Sequence, residues 1–510
     1  QGYSSAASDV YKRQICYHII MKTKSGKITN NSKSLKLNYI YNVSYQILTL
    51  ITPLITTPYL SRVLKVDGIG LYSYTSSIVA YFIMVAALGT LNYGNREISY
   101  LQSDRKKRTQ TFWEIELLSI ISVAVCLAAY LIFTIFIYHE HTTLLLLQAM
   151  CLVSVAADIA WLLQGMEEFG KVAGRNVIFK IINIAFIFIA IHNKDDLVIY
   201  VAGMCIMELL SNLSIWFYVP KYVDRPDFKK LHPFSHLRAT IALFIPTVAT
   251  TIYTAMDKTM LNQITHTTIE NGYYEQASKI SKMVLTIVTA LGAVMVPRIG
   301  KYFSENRTKE VKDLLYKSFR FVWFMGLPLC FGLMGTAHNF SPWFYGSGYD
   351  KVPNLLIILA LLIPVIGLSN VIGIQYLITT RRENLLTRSV CIGAVANFVL
   401  NMIMIPFLYS YGAAIASVIS ELIITIVQFW YVRKELSAKT VFSLSTKYLA
   451  ASIVMLIALI GLNYILKPCI ISTLIMITAG GALYFILLFL LKDSMLDEII
   501  NTVKSKLHIN

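Results

Sequence analysis

The chain is poor in charged residues and rich in long apolar runs. Only 14% of its 510 residues are Asp, Glu, Lys or Arg, whereas soluble domains carry about 25%. Hydrophobic residues make up 56% of the sequence, and the mean hydropathy is +0.60. A soluble core has no place for so many apolar side chains, so the composition excludes an ordinary soluble domain and indicates a membrane protein with many spans.

Familiar catalytic and metal-binding signatures are also missing from the sequence. The seven cysteines are scattered without a Cys-x-x-Cys pair, which argues against a disulfide framework and a zinc site. There is no Walker loop, nucleophile elbow or pair of catalytic acids, and His139 and His141 in one short turn are too few for zinc. We therefore expect a protein that is not an enzyme, has no cofactor, and draws energy from ion gradients or from consumption of its cargo.

Fourteen apolar stretches are long enough to cross a hydrocarbon layer about 30 Å thick at 1.5 Å per residue. The predicted fold is an all-α polytopic membrane protein with about 14 transmembrane helices. In the first stretch, Pro53, Pro58 and several polar residues predict a broken helix that lines a watery cavity. The predicted spans are 38–61, 69–91, 112–137, 143–164, 174–192, 197–218, 239–262, 276–297, 319–340, 353–378, 386–408, 412–432, 446–466 and 470–491.

The basic residues, which give a net charge of +17, alternate between loops. About 34 of them fall on one side of the predicted spans and about 5 on the other, and cytoplasmic loops are the ones that collect Lys and Arg. This bias predicts that both termini are cytoplasmic. It also accounts for the positive charge without nucleic acid, which we do not expect as a partner. The basic residues on the outer side are Arg62, Lys65, Lys194, Lys351 and Lys467.

The chain contains an internal repeat. Residues 70–78 (GLYSYTSSI) align with residues 272–280 (GYYEQASKI), and Ala-Leu-Gly at 87–89 aligns with the same tripeptide at 290–292. Two copies in the same orientation predict two pseudo-symmetric six-helix bundles, related by an axis along the membrane normal, with a substrate path between them. Chance similarity between apolar segments is the alternative explanation.

The repeat and the charge pattern predict a division of the chain into eight segments. Residues 8–14 resemble a translated sequencing adapter, so we interpret residues 1–20 as a non-native leader. The remaining segments are a cytoplasmic N-terminus (21–37), the first bundle (38–218), a cytoplasmic linker (219–238), the second bundle (239–432), a cytoplasmic loop (433–445), two additional C-terminal helices (446–491) and a cytoplasmic tail (492–510).

Several short motifs resemble one transporter family. Residues 53–64 (PLITTPYLSRVL), 70–72 (GLY) and 94–98 (GNREI) look like the opening signature of the Wzx-type flippases, and 257–261 (DKTML), 272–275 (GYYE) and 296–298 (VPR) look like a second one. These bacterial proteins belong to the multidrug/oligosaccharidyl-lipid/polysaccharide transporter superfamily. The family often has Gly where this chain has Lys65, a small departure, and the likeness covers most of residues 38–435.

The resemblance implies a function in the bacterial cytoplasmic (inner) membrane. Such a protein moves undecaprenyl-diphosphate-linked oligosaccharide repeat units across the bilayer by alternating access, for O-antigen, capsule or exopolysaccharide synthesis. The resemblance also implies a polysaccharide polymerase and a chain-length regulator as partners. Three alternatives remain: a cation-coupled drug exporter, whose cleft would be dominated by carboxylates; a lipid II flippase; and a membrane polymerase or ligase, which would need a longer outer loop than 262–275 or 341–352.

Ionised residues inside the spans are the candidate site residues, because each one costs at least about 2.5–3.5 kcal/mol at a helix centre. Lys258 lies in the seventh span and Lys279 and Lys282 lie three residues apart in the eighth, while Arg62 ends the first span. We predict that these four cations line a cleft and bind a pyrophosphate headgroup. Snorkelling of the long side chains towards the interface is the alternative.

Five further charges are candidates for coupling or structural roles. Asp158 and Lys180 lie at similar depth and are expected to form a pair within the first bundle, and Asp257 is a candidate partner for Lys258. Glu208 in the sixth span and Glu421 in the twelfth occupy comparable places in the two copies. Each is either a proton or cation site or a structural carboxyl that burial keeps neutral.

Overall fold

The computed structural model describes residues 31–507, and this range contains helices and no strand. The expectation of an all-helical membrane protein is therefore confirmed. The first part of the chain forms nine α-helices: α1 (Asn31–Val63), α2 (Lys65–Ala87), α3 (Thr90–Tyr100), α4 (Arg105–Ile132), α5 (Thr142–Ala157), α6 (Ala160–Gly165), α7 (Phe169–Ala190), α8 (Leu197–Leu213) and α9 (Val219–Tyr222).

The second part of the chain repeats this pattern of long helices and then extends it. It contains α10 (Leu237–Thr265), α11 (Thr268–Thr289), α12 (Leu291–Ser304), α13 (Thr308–Tyr345), α14 (Val352–Ala360), α15 (Leu362–Asn370), α16 (Glu383–Leu408) and α17 (Ser410–Val432). A π-helical segment (Val371–Ile378) continues α15. The C-terminal helices are α18 (Ala438–Ser443), α19 (Thr446–Ile465), α20 (Ile470–Leu490) and α21 (Ser494–Leu507).

Twelve helical segments in the described range are long and apolar enough to cross a membrane. The other two predicted spans, 38–61 and 239–262, lie within helices α1 and α10. The protein is thus a multi-pass membrane protein, while the count of about fourteen spans and the division into segments remain predictions. The interpretation of residues 1–20 as a non-native leader concerns residues outside the described range.

Helix α1 differs from the broken helix that its prolines predicted. It continues without interruption through Pro53 and Pro58. The side chains of Thr52 and Thr56 are buried, and their hydroxyls donate to carbonyls one turn earlier in the same helix, at 2.7 Å and 3.0 Å. Because these hydroxyls bond to their own helix, they need no water. This part of α1 packs against α7 rather than facing an open cavity.

The two copies of the repeat meet at their equivalent glycines. A Cβ on Gly70 of α2 would lie 1.7 Å from the carbonyl oxygen of Thr268, and a Cβ on Gly272 of α11 would lie 2.1 Å from the carbonyl oxygen of Val66. No side chain fits at such distances, so glycine at both positions is what permits the two helices to touch. These are the two glycines that the sequence alignment paired.

We call helices α1–α8 the first half of the fold and helices α10–α17 the second half. The segment that connects them packs against the first half. The Arg105 side chain donates to Asp224 at 2.9–3.1 Å, and Arg108 donates through Nε and Nη2 to the carbonyl of Tyr222. Further along, His236 contacts Glu114 at 2.9 Å. The connection that the sequence assigned to a cytoplasmic linker is therefore a fixed strap across the ends of α3 and α4.

The last two long helices, α19 and α20, pack against α13. Their contacts combine apolar packing with hydrogen bonds between helices: Tyr484 donates to the carbonyl of Phe324 at 2.7 Å, and Trp343 donates to Thr473 at 2.8 Å. They extend the second half rather than forming a further repeat, and they lie away from the surface where α2 meets α11.

Candidate functional site

The first feature of the candidate site is an ion pair at the contact between the two halves. Lys258 Nζ on α10 lies 2.6 Å from Glu275 Oε2 on α11, and the Ser73 hydroxyl of α2 donates to the same oxygen at 2.9 Å. Ser73 and Glu275 are equivalent positions in the repeat, 202 residues apart. Glu275 therefore neutralises Lys258 and joins three helices.

Two more lysines extend this cluster along one face of α11. Lys279 lies close enough to Lys258, Glu275 and Lys180 for their charges to interact, and Lys282 interacts with Lys258 and Glu275. Lys279 is half-buried and Lys282 is exposed. Lys282 also interacts with the carboxylates of Asp257 and Glu421, so three carboxylates offset the four amines and the cluster keeps a small excess of positive charge. We call Lys180, Lys258, Lys279 and Lys282 the lysine cluster.

Arg62 is not part of the lysine cluster. Its guanidinium donates to the carbonyls of Trp343 and Phe344, the latter at 3.0 Å, and Tyr349 donates to the carbonyl of Ser61 at 3.2 Å. The carbonyls of Trp343 and Phe344 belong to the last turn of α13, where a cation is favourable. The structure thus places Arg62 in a contact between the end of α1 and the end of α13.

Lys180 and Glu208 line a cavity inside the first half. The cavity has a volume of about 430 Å³ and lies between α2, α5, α7 and α8. Its polar lining includes Ser76, Gln148 and Asn183. Because Lys180 also interacts electrostatically with Lys279, the cavity and the lysine cluster adjoin.

Asp158 lies apart from Lys180, and the ion pairs of the described residues do not include the two together. Asp158 Oδ1 instead accepts from the backbone N–H of Ala160 at 3.1 Å, at a break between α5 and α6. Its charge interacts with Glu208 and with Glu116, which is 1% exposed. Lys180 and Asp158 therefore do not form the expected ion pair, and Lys180 instead lines the cavity together with Glu208.

Asp257 is buried in the second half and is 3% exposed. Its carboxylate accepts hydrogen bonds from the Tyr274 hydroxyl, the Ser417 hydroxyl and the Asn401 amide, each at 2.7 Å. These donors come from α11, α17 and α16, so one carboxylate holds four helices together. It is not the partner of Lys258, which pairs with Glu275.

Glu421 is also buried, with 5% of its surface exposed. It lines a cavity of about 200 Å³ in the second half together with Asn370 and Gln428. Glu208 and Glu421, which the sequence placed at comparable positions, thus each line a cavity in their own half. In the described part of the chain, no group of three or more His, Cys, Asp or Glu residues is arranged to hold a metal ion.

Sequence reasoning missed three residues of this region. Glu275 stands inside the aligned repeat, opposite Ser73, but the predicted eighth span begins only at residue 276, so its charge was assigned to a loop. Glu116 is a buried charge within a predicted span, a signal that was not used. Gln148 carried no signal, because one amide in an apolar helix looks the same whether it bonds to a neighbouring helix or lines a cavity.

A scan against family models matches residues 35–303 to the polysaccharide biosynthesis protein family. A curated protein named "Putative O-antigen transporter" from Escherichia coli (strain K12) is 24% identical over 414 residues, which cover 80% of this chain and 98% of that protein. The match therefore extends over nearly the whole relative.

Two solved structures share the fold. A lipid II flippase, MurJ, in an inward closed conformation superposes with a TM-score of 0.71 at 18% identity, covering 90% of this chain and 99% of that one. A multidrug resistance MATE family transporter of the MOP superfamily, in an inward-facing conformation, superposes with a TM-score of 0.61 at 15% identity, covering 79% of this chain and 98% of that one.

The family match includes α1, α2 and α11, the helices that carry the sequence motifs and the contact between the two halves. Relatives and structural neighbours are transporters, so this chain is a membrane transporter rather than an enzyme, and the resemblance to the Wzx-type flippases is confirmed. The chain belongs to the polysaccharide biosynthesis protein family.

Proposed function

We propose that the protein is a flippase for undecaprenyl-diphosphate-linked oligosaccharide repeat units in the bacterial inner membrane, with both termini in the cytoplasm. The observation that carries the proposal is the lysine cluster, which puts excess positive charge between the two halves of the fold. A diphosphate is the part of such a cargo that lysines attract most strongly. The product would supply a polysaccharide polymerase and a chain-length regulator on the outer side.

Lysine suits a cargo that must leave as well as bind. Its ammonium is a movable point charge without the fixed fork of arginine, so it holds a phosphate without imposing one geometry. Glu275 supports this use, because it pairs with Lys258 and offers that lysine an alternative partner when the diphosphate leaves. In alternating access, the halves would separate first on one side of this cluster and then on the other.

The outer contacts of Arg62, Gly70 and Gly272 support a starting state that is closed towards the outside. Both halves touch there through backbone atoms, which leaves no room for a sugar headgroup. Cargo would then reach the lysine cluster from the cytoplasmic side, where lipid-linked repeat units are assembled according to this proposal.

The test replaces Lys258, Lys279 and Lys282 together by Gln in a strain that lacks the chromosomal copy. We expect surface polysaccharide to fall at least tenfold, while the amount of protein in the membrane is unchanged. The matched control replaces three exposed lysines, Lys309, Lys312 and Lys434, by Gln, which makes the same change in net charge. Normal polymer in the first variant would refute the role of the lysine cluster.

Deletion of the gene separates a flippase from a polymerase. Loss of a flippase traps lipid-linked repeat units on the cytoplasmic leaflet, where an outside glycosidase cannot reach them in intact cells. Loss of a polymerase leaves single units on the outer leaflet, where the glycosidase removes them. Protection of the accumulated units therefore supports the proposal, and their digestion contradicts it.

A further inference from the structure

The cavity in the first half has hydrogen-bonding capacity that the protein leaves unused. Gln148 is 1% exposed, and its amide nitrogen donates to Thr75 at 3.0 Å and Ser76 at 3.1 Å. Its carbonyl oxygen has no hydrogen-bond partner within residues 31–507. A buried amide oxygen without a partner costs about 1–3 kcal/mol, so its place at a cavity wall needs an explanation.

Other groups on the cavity wall are also underused. The Asn183 amide donates to the sulfur of Met204 at 3.2 Å, and a thioether is a weak acceptor. Glu208 is exposed at the cavity and Lys180 is half-buried there. We call Ser76, Gln148, Asn176, Lys180, Asn183 and Glu208 the amide cavity, after its most frequent polar group.

We propose that the amide cavity is a sugar subsite, which takes the first sugar of the lipid-linked headgroup while the lysine cluster holds the diphosphate. This inference rests on the proposed function. Sugar hydroxyls donate and accept hydrogen bonds in equal measure, and amides and a carboxylate supply both roles. The rings of Tyr72 and Phe179 complete the wall, so apolar faces of a sugar ring also find contact.

The size and position of the amide cavity agree with this use. Its volume of about 430 Å³ falls within the roughly 300–1,000 Å³ of ligand pockets and is far larger than a bare cation requires. Ser76 of the cavity wall lies one turn along α2 from Ser73, whose hydroxyl donates to Glu275 at 2.9 Å, so the cavity borders the lysine cluster. A diphosphate and its first sugar are covalent neighbours, so their two sites must adjoin in this way.

A second cavity gives the amide cavity an approach from the cytoplasmic end. It has a volume of about 640 Å³, shares Phe179 with the amide cavity, and is lined by Lys171, Arg175 and Tyr218 near the beginning of α7 and the end of α8. The two cavities thus meet at Phe179, and a headgroup that enters from this end would pass Lys171 and Arg175 before it reaches Lys180.

The experiment measures binding of two lipids to the full-length protein in nanodiscs. One lipid is undecaprenyl diphosphate, and the other is undecaprenyl-diphosphate-linked N-acetylglucosamine. Glu208→Gln and Asn183→Ala are expected to bind the first lipid within twofold of wild type. They are expected to bind the second about tenfold and about fivefold more weakly, because Glu208→Gln replaces a charge-assisted hydrogen bond to sugar by a neutral one and Asn183→Ala removes a hydrogen bond. Ile182→Ala, on the same helix and 41% exposed, is the matched control.

The outcomes separate the sugar subsite from the proposed function. If both variants weaken binding of the two lipids equally, or if neither variant weakens binding of the second lipid, the sugar subsite is overturned while the role of the lysine cluster stands. If wild type binds neither lipid, the proposed function fails and the subsite fails with it. Glu208→Gln keeps the size of the side chain, so it decides the question even where Asn183→Ala folds poorly.

A thiol on the cavity wall gives a second readout, which reports where the lipid binds rather than how tightly it binds. Cys151 lines the amide cavity, and its sulfur lies 3.1 Å from that of Cys205. In a variant that keeps Cys151 as its sole cysteine, the sugar-bearing lipid is expected to slow labelling by a small thiol reagent at least fivefold. Undecaprenyl diphosphate should leave the rate unchanged, and equal protection by both lipids would overturn the proposal.

Discussion

The two halves of the fold differ in how their carboxylates are bonded and in the size of their cavities. In the second half, three donors at 2.7 Å satisfy the Asp257 carboxylate, and Glu421 lines a cavity of only about 200 Å³. In the first half, Glu208 lines a cavity of about 430 Å³ whose Gln148 oxygen is unpartnered among the described residues. Gln428 at the wall of the second cavity also has an unpartnered amide oxygen among the described residues, so the halves differ in the size of the cavity, which is about twice as large in the first, and in the network around Asp257.

This contrast has a physical consequence for binding. A carboxylate that already accepts three short hydrogen bonds has little to gain from a ligand, because each new bond replaces an existing one. An amide oxygen without a partner gains the full value of a bond when a ligand arrives. Because the unpartnered oxygen of the first half faces the larger cavity, we expect the first half to contribute more to recognition of cargo, and the Asp257 network makes the second half more important for stability.

The largest expected effect tests this division directly. Asp257→Ala removes the acceptor shared by Tyr274, Ser417 and Asn401, and should destabilise the protein by about 3 kcal/mol, since three buried donors lose their partner. Glu208→Ala, which breaks no comparable network, should leave the thermal unfolding temperature in detergent within about a degree of wild type. Equal losses of stability would show that the halves do not differ in this way.

A second comparison concerns the one surface that both halves share. Gly70→Ala and Gly272→Ala each place a methyl group against a backbone carbonyl of the other half, at 1.7 Å and 2.1 Å. Overpacking of this kind costs about 1–3 kcal/mol, and the pseudo-symmetry predicts similar losses for the two variants. Gly461→Ala is the control, because a Cβ there meets nothing within 4 Å. Thermal unfolding measures all three, and a stable Gly70→Ala variant would contradict the close contact.

Gly70 and Gly272 show how much of the fold could be predicted from the sequence. The alignment paired Gly70 with Gly272, and it placed Ser73 opposite Glu275, which the structure joins at 2.9 Å. The all-helical class also followed from sequence, because it depends on composition, while the number of spans and the role of the three lysines remain predictions. The repeat predicted a contact between the halves without giving its distance.

The parts that sequence could not give depend on how helices rotate and pack sideways. Arg62 sits at the end of its span, as Lys258 does, yet it turns to the last carbonyls of α13. Lys180 was assigned to Asp158 from depth alone, but depth leaves the direction of a side chain undetermined. Cavities such as that beside Gln148 arise from the packing of four helices and leave no local signal in any of them.

A third test fills the two cavities in turn. Ser211 lines the amide cavity, and Ser369 lines the smaller cavity beside Glu421. Ser211→Leu should lower polysaccharide export about tenfold, because it occupies space needed by the cargo, which corresponds to about 1.4 kcal/mol of lost binding. Ser369→Leu should change export less than twofold. The measurement is the amount of surface polymer at equal amounts of protein in the membrane. A larger loss in Ser369→Leu than in Ser211→Leu would assign recognition of cargo to the second half.

The smallest expected effect concerns the strap that joins the halves. The Arg105 guanidinium, hydrogen-bonded to Asp224, holds the pKa of that carboxyl below its ordinary value of 3.8. A carboxyl whose pKa is lowered by folding contributes stability above its unfolded pKa, and this contribution disappears as the pH falls through the folded pKa. Asp224→Asn should therefore lower the unfolding temperature slightly at pH 7 and by less near pH 3, which lies below the unfolded pKa. Because the pair is exposed, this difference should be smaller than those above, and an equal difference at both pH values would mean that Asp224 acts through packing rather than charge.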